Sequence, residues 1–309
     1  MAQEALNAVE LTKTYYTRGA KPVEALKGVS MCIRKGERIA LLGRNGAGKT
    51  TFLRICSTLL LPTSGKLDIF GHDVVRTPEL VRPLIAVVPQ EGKPFFHLTP
   101  REQIYAYLRA RGIDRESAKS RAAEALDLMG LESVADRLSV TLSGGQKQRV
   151  MVATVIATMA PLLFLDEPTI GMDPFARREV WDSLRRLTAQ GSTILLTTHY
   201  LDEAEMLSER IYIIEGGHVL MEGTATSIKE KVGGTVKVSV QGGEALREQL
   251  STFGEVVADG SAIHLITVPE EINEIMSLVV KAGLSATVGP VTLEEAFLKI
   301  VGTSINEEG

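Results

Sequence analysis

The sequence predicts an α/β fold with a glycine-rich loop at the end of one strand of a largely parallel sheet, followed by a smaller α+β module. Three observations predict it. The apolar run Arg38-Ile39-Ala40-Leu41-Leu42 leads into Gly43-Arg44-Asn45-Gly46-Ala47-Gly48-Lys49-Thr50-Thr51 and then Phe52-Leu53-Arg54-Ile55, which reads as strand, loop and helix. A continuous apolar run, Leu162-Leu163-Phe164-Leu165, has the length and kind of a strand buried on both faces and ends in Asp166-Glu167-Pro168. From Val236 onward short alternating strands and amphipathic helices replace that pattern.

The chain has 309 residues, 44% of them hydrophobic, enough for a full core and a second, smaller one. No basic flank joined to an apolar stretch marks a secretory leader near Met1. The longest apolar passage, residues 150–165, is broken by Thr154, Thr158 and Pro161 and falls short of the ~20 residues a spanning helix needs. Any membrane role is therefore expected to run through a partner. Cys32 and Cys56 do not have metal-ligand spacing, which fits a reducing, cytosolic compartment. A net charge of −4 without a basic run argues against nucleic acid as a partner.

Before the loop, residues 6–11 and 29–33 read as strands, and Tyr15 and Tyr16 close the first. In the loop, the glycines let backbone N–H groups turn inward and the following helix adds its positive end, so the concavity suits phosphate. Lys49 is placed to reach terminal phosphates and the Thr50 hydroxyl to sit on Mg²⁺. Residues 67–70 form a short strand ended by Gly71, and residues 84–88 lead to Pro89-Gln90.

Two helices follow without a strong strand between them. Thr99 as N-cap, Pro100 at the first position and Glu102 completing a capping box start one that runs to Gly112. Ala118, Ala122, Leu126 and Met129 mark the other, from Asp114 to Gly130. The apolar residues of Lys93-Pro94-Phe95-Phe96-His97-Leu98 read first as a staple and ordinary core, with an exposed docking surface as the alternative. In Leu142-Ser143-Gly144-Gly145-Gln146, a capping box explains Ser143 and Gln146 but not the glycines, which suggest that something approaches the backbone at the helix start. Adjacent acids at the end of a buried strand, Asp166 and Glu167, are costly unless used. In phosphate-loop enzymes such a pair serves Mg²⁺ and the attacking water. Gly171-Met172-Asp173-Pro174 turns into a helix over residues 175–187, and a strand over 192–198 ends at His199.

In this order, residues 43–51, Gln90, residues 142–146, 163–167, 171–174 and His199 resemble the nucleotide-binding domain of ABC transporters over roughly residues 5 to 225. The loop alone says only P-loop NTPase; Leu-Ser-Gly-Gly-Gln followed by Leu-Asp-Glu-Pro-Thr is far more specific. The resemblance implies a P-loop NTPase (RecA-like) core with antiparallel β and helical subdomains over residues 1–228, the helical insert spanning about 91–158. It implies ATP and Mg²⁺ as the bound species. ATP would be held by Tyr15 (or Tyr16) stacking on adenine and by Gly43, Arg44, Asn45, Gly46, Ala47, Gly48, Lys49, Thr50, Thr51 and Gln90. Thr50, Gln90 and Asp166 match the metal ligands, Glu167 the general base, and His199 and Lys49 groups acting on the γ-phosphate. Ser143, Gly144, Gly145 and Gln146 match the signature that binds ATP held by the other subunit, and Asp173 lies where the two subunits communicate. The partners implied are a second copy or a homologous ATPase subunit and an integral-membrane permease, with the chain peripheral on the cytoplasmic face. One departure is Ala153-Thr154-Val155-Ile156, where the family often has Ala-Arg-Ala-Leu.

After a hinge at Gly233-Gly234, the order β-α-β-β-α-β predicts a small α+β (ferredoxin-like) C-terminal domain over residues 229–302, with a hairpin across Asp259-Gly260 and a last helix capped by Thr292 and Glu295. Residues 303–309 read as a flexible tail. The ending Leu293-Glu294-Glu295-Ala296-Phe297-Leu298 resembles drug- and lipid-exporter ATPases of the daunorubicin-resistance, ABC-2 type. Export of a drug, lipid or other amphiphilic solute is the function this implies. The alternative is a soluble ABC ATPase uncoupled from transport, such as the iron–sulfur assembly type.

Overall fold

A computed structural model describes residues 4–19, 21–189, 191–231, 234 and 236–307. The chain forms two compact units, residues 1–219 and 220–309. In chain order the first contains β1 (Glu4–Tyr15), β2 (Val23–Arg34), β3 (Arg38–Leu42), α1 (Lys49–Cys56), β4 (Ser64–Ile69), β5 (His72–Asp73), α2 (Pro78–Val81), β6 (Ile85–Val88), α3 (Pro100–Ala110), α4 (Arg115–Leu128) and α5 (Gly144–Ile156). It continues with β7 (Leu162–Asp166), α6 (Pro174–Ala189), β8 (Thr193–Thr198), α7 (Leu201–Leu207), β9 (Arg210–Glu215) and the start of β10 (His218–Gly223).

Two sheets organise this unit. β2-β1-β4-β5 is antiparallel, and the second sheet runs β10-β9-β3-β8-β7-β6 with parallel pairing from β9 through β6. Every residue of β7 and β8 is buried, which is why both read as unbroken apolar or threonine-rich runs rather than alternating ones. One apolar cluster takes Leu6, Leu11 and Ile33 from the antiparallel sheet, Ile39, Phe164 and Leu195 from the parallel sheet, and Phe52 and Ile55 from α1. The helix that follows the glycine-rich loop is thus clamped by core packing, and the loop is fixed at its start.

Helices α3, α4 and α5 pack on one another, and their starts follow the sequence chemistry. Thr99 and Glu102 form the expected capping box on α3, Asp114 caps α4, and Ser143 with Gln146 forms a second capping box on α5. The expectation that Phe95 and Phe96 belong to the core is corrected: they are 70% and 51% exposed. The reason lies in Gln103, buried on α3, whose Oε1 accepts from the Phe95 N–H at 2.8 Å while its Nε2 donates to Thr154 Oγ1 at 3.2 Å on α5. That amide holds the segment by its backbone and leaves both rings outside.

The second unit holds α8 (Ala225–Glu230), β11 (Val236–Gln241), α9 (Arg247–Leu250), β12 (Val256–Asp259), β13 (Ala262–Thr267), α10 (Ile272–Lys281), β14 (Ala286–Pro290) and α11 (Leu293–Glu307). Its strands are ordered β12-β13-β11-β14 with antiparallel neighbours, the ferredoxin-like arrangement. Val238, Val240, Leu250, Ile263, Leu265, Ile275 and Val279 close a separate core. Gly233 of the expected hinge lies outside the described residues, and at Gly234 a Cβ would come within 2.2 Å of the Thr267 carbonyl oxygen, so this glycine allows close packing. Helix α11 passes through Gly302 and continues to Glu307, because one glycine disfavours a helix by only about 1 kcal/mol and does not stop it; residues 308–309 lie outside the described range.

Candidate active site

The site is built at the C-terminal ends of β3, β7 and β8, where three loops meet. At the first, Gly46 and Gly48 take left-handed φ values of 87° and 109°, which only glycine adopts without strain. A Cβ at Gly48 would also lie 2.6 Å from the Ala25 carbonyl oxygen on β2, so the loop is pressed against the antiparallel sheet. Gly43 serves a different end. A side chain there would meet the Ile214 carbonyl oxygen at 2.3 Å, so this glycine lets β3 lie close to β9.

Lys49 is buried, and its Nζ donates to the Gly43 and Arg44 carbonyl oxygens at 2.7 and 3.0 Å. Burial lowers its ammonium pKa from the ordinary value, against the opposing pull of Glu167, Asp166 and Glu215. A cavity of about 230 Å³ opens in front of it, lined by Ala25, Asn45, Gly46, Gly48, Lys49, Thr50, Thr51, Gln90 and Glu167. Most of the sequence-predicted loop residues are therefore gathered on one wall, with Gln90 from the end of β6 and Glu167 from the end of β7 opposite.

At the second loop, Asp166 is buried and its Oδ1 accepts a short hydrogen bond, 2.5 Å, from Thr197 Oγ1 on the neighbouring strand β8. Burial raises its carboxyl pKa, while the Thr197 and Thr50 hydroxyls favour the charged form. Thr50 Oγ1 in turn lies 3.4 Å from Gln90 Oε1. Thr50, Gln90 and Asp166 thus present three oxygens beside the cavity, the hard donor set that Mg²⁺ takes together with water and phosphate oxygens. Among the described residues no group of three or more His, Cys, Asp and Glu is gathered for a metal.

Glu167 is the strained member. Its φ is +51°, and its N–H is held by both the Thr197 carbonyl and Thr197 Oγ1, at 3.1 and 3.2 Å. That backbone turn, directly after the last residue of β7, swings the carboxylate into the cavity wall, where Oε2 lies 3.3 Å from His199 Nδ1 at the end of β8. A buried carboxylate beside an imidazole and a phosphate-sized cavity can accept a proton from a water placed there.

Other expected residues stand apart from this cavity. Tyr15 does not line it; its hydroxyl lies 3.3 Å from Thr51 Oγ1 and Lys13 Nζ lies 5.4 Å from its ring centre, while Tyr16 is 76% exposed. Ser143 and Gln146 are engaged in their own capping box, and a Cβ on Gly144 would meet nothing within 4 Å. Asp173 accepts from the Phe175 and Ala176 N–H groups, both at 3.0 Å, and caps α6; these bonds, the one from Ala176 foremost, lower its carboxyl pKa. Sequence reasoning missed Thr197, Ala25 and Gln148, the last placing its Nε2 3.5 Å from the Glu167 carbonyl oxygen. Thr197 carries no local signal, since only the pairing of β7 with β8 brings it opposite Asp166.

A family profile described as ABC transporter matches residues 26–170. The daunorubicin/doxorubicin resistance ATP-binding protein DrrA of Streptomyces peucetius is 41% identical over 75% of this chain and 69% of its own length. The Nod factor export ATP-binding protein I of Rhizobium sp. (strain N33) is 34% identical over 97% of this chain and 99% of its own. Among solved structures, the dimeric ATP-binding cassette MJ0796 bound to ADP and Pi superposes with a TM-score of 0.66 at 30% identity, covering 71% of this chain and 98% of that one. With the phosphate loop and Glu167 lining one cavity, Asp166 and His199 beside Glu167, and relatives of this closeness, the chain belongs to the ABC transporter family and has the fold of its ATP-binding cassettes.

Proposed function

We propose that this chain is the ATP-hydrolysing subunit of an exporter, driving a separate membrane permease that moves a drug, lipid or other amphiphilic solute. The observation that carries the hydrolytic reading is the Glu167 carboxylate in the wall of the phosphate-loop cavity, 3.3 Å from His199. The export reading rests on relatives named for drug resistance and Nod factor export. No helix among the described residues is long and apolar enough to cross a membrane, which fits a division of labour with a permease.

In this reading the N–H groups of residues 43–51 and the start of α1 bind the phosphates, and Lys49 leaves the Gly43 and Arg44 carbonyls to meet the terminal one. Thr50, Gln90 and Asp166 would hold Mg²⁺, which would neutralise phosphate charge. Glu167 takes a proton from a water whose oxygen bonds to the γ-phosphorus, and the bond from that phosphorus to the bridging oxygen breaks, leaving that oxygen on ADP and releasing phosphate. His199 orients the γ-phosphate, and Tyr15 gives its ring to the adenine. The start of α5 at Ser143, Gly144 and Gly145, where a Cβ on Gly144 would meet nothing within 4 Å, receives the γ-phosphate of ATP held by a second subunit, and Asp173 lies at that junction.

The test is native co-purification: the tagged chain is extracted from membranes in mild detergent and what travels with it is identified. A polytopic membrane protein in near-equal amount is expected. Soluble partners alone, with the chain outside the membrane fraction, would favour the uncoupled or iron–sulfur type of ATPase.

A further inference from the structure

Behind the Glu167–His199 pair lies a buried carboxylate that the reading above does not use. Glu203, on α7, is fully buried, and its Oε1 accepts from Thr169 Oγ1 at 2.8 Å and from Trp181 Nε1 at 3.0 Å. Each donor belongs to a different functional segment. Thr169 is two residues past Glu167, Trp181 lies on α6, the helix opened by Asp173, and α7 itself begins two residues past His199. A second bond between the same helices runs along the surface: the Arg177 guanidinium of α6 stacks 4.1 Å from the Tyr200 ring centre and reaches Asp202 at 3.6 Å, and the Tyr200 ring lies 4.1 Å from that of His199.

Removing a carboxylate from water is unfavourable, and an apolar side chain of similar volume would fill this position more cheaply. Burial also raises the Glu203 carboxyl pKa against the pull of its hydrogen-bond donors. What the carboxylate provides in exchange is one oxygen shared by two donors, which joins three separate segments. Glu167 needs such support, because its left-handed backbone persists only where the surroundings hold it. Resting on the hydrolytic reading above, we propose that Glu203 is a positioning residue that keeps Glu167 and His199 in register by tying the turn after Glu167 to α6 and α7.

Trp181 is the chain's single tryptophan, so its emission reads this contact directly. The experiment uses the full chain and measures kcat and KM for Mg-ATP, binding of a fluorescent ATP analogue, and tryptophan emission. Glu203→Leu is expected to shift the emission and lower kcat by roughly 10- to 100-fold, the size expected of a misplaced reacting group, with KM changed less than about twofold. Glu203→Gln, which keeps an acceptor oxygen for Thr169 and Trp181, should return kcat to within about threefold. Trp181→Phe, which retains an apolar ring, should lower kcat by itself and add little on top of Glu203→Leu, since both break one network. The proposal is overturned if Glu203→Leu turns over at the unaltered rate, or if the two substitutions act additively. Should Glu203→Leu not fold, an unchanged kcat in Trp181→Phe overturns it equally. Absence of ATP hydrolysis by the unaltered chain would instead remove the hydrolytic reading on which the proposal stands.

Discussion

Gly144→Ala should make this protein more stable and nearly inactive. Gly144 is the first residue of α5, has no left-handed backbone, and a Cβ built on it meets nothing within 4 Å. Glycine to alanine in a helix interior gains up to about 1 kcal/mol, and less at an end, so about 0.5 kcal/mol is expected here. For a chain of this size that raises Tm by roughly 1 °C. Within the protein, then, nothing requires glycine at this position. If the start of this helix closes on the phosphate of ATP in a second subunit, the added methyl stands between its backbone and that phosphate. The hydrolysis rate should fall on the order of a hundredfold, as for a reacting group displaced by about 1 Å. The assay pairs thermal unfolding without nucleotide with steady-state phosphate release. Unchanged turnover would refute the reasoning, because the space at Gly144 would then not be reserved for a ligand. A lower Tm would refute the packing part of it.

Glu167→Gln should bind ATP, lose about 10²- to 10⁴-fold in hydrolysis and accumulate as an ATP-bound dimer by size-exclusion chromatography, whereas near-normal turnover would take Glu167 out of the role of base. Gly43→Ala should be strongly destabilising, since its Cβ would sit 2.3 Å from the Ile214 carbonyl oxygen, and a thermal unfolding curve matching the unaltered chain would show that β3 and β9 can separate there without loss. Thr99→Ala, which breaks the capping box of α3, should cost about 1 kcal/mol in chemical denaturation. Asp73 has its carboxyl held below the ordinary 3.8, first by the Arg76 N–H and then by that of Val75. Its folded value lies below its unfolded one, so its contribution is present above pH 3.8 and is lost as pH falls through the folded value. The stability gap between the unaltered chain and Asp73→Ala should therefore narrow on acidification, and a gap that stays constant to pH 2 would contradict the assignment.

Local chemistry was legible where the cause is local. The capping boxes at Thr99 and Ser143, the Asp114 cap and the strand–loop–helix around Lys49 depend on neighbours within a few residues, and they fold as the sequence reads. The buried runs at β7 and β8 were legible because a strand covered on both faces has no polar side to hide. Phe95 and Phe96 were misjudged because their exposure is decided by Gln103, whose amide reaches the Phe95 backbone from α3. β5 is too short, at two residues, to leave a sequence pattern, and β9 and β10, which flank Gly216-Gly217, lie outside the strands expected from the sequence.

The sequence by itself determined the chemistry available to this protein: a loop able to bind phosphate, an acid pair at a strand end, a histidine at another, and two helix starts with bare or capped N–H groups. Those follow from residue type and from spacings that backbone geometry converts into turns and caps. Tertiary structure alone decided which of these groups meet. The order β3-β8-β7-β6 brings Thr197 opposite Asp166, His199 to Glu167 and Gln90 to Thr50. It also gave Gly43 a packing role against Ile214 and buried Glu203 between Thr169 and Trp181. Such meetings depend on the side-by-side order of strands remote in the chain, which the packing of the whole core selects and no short stretch of sequence encodes.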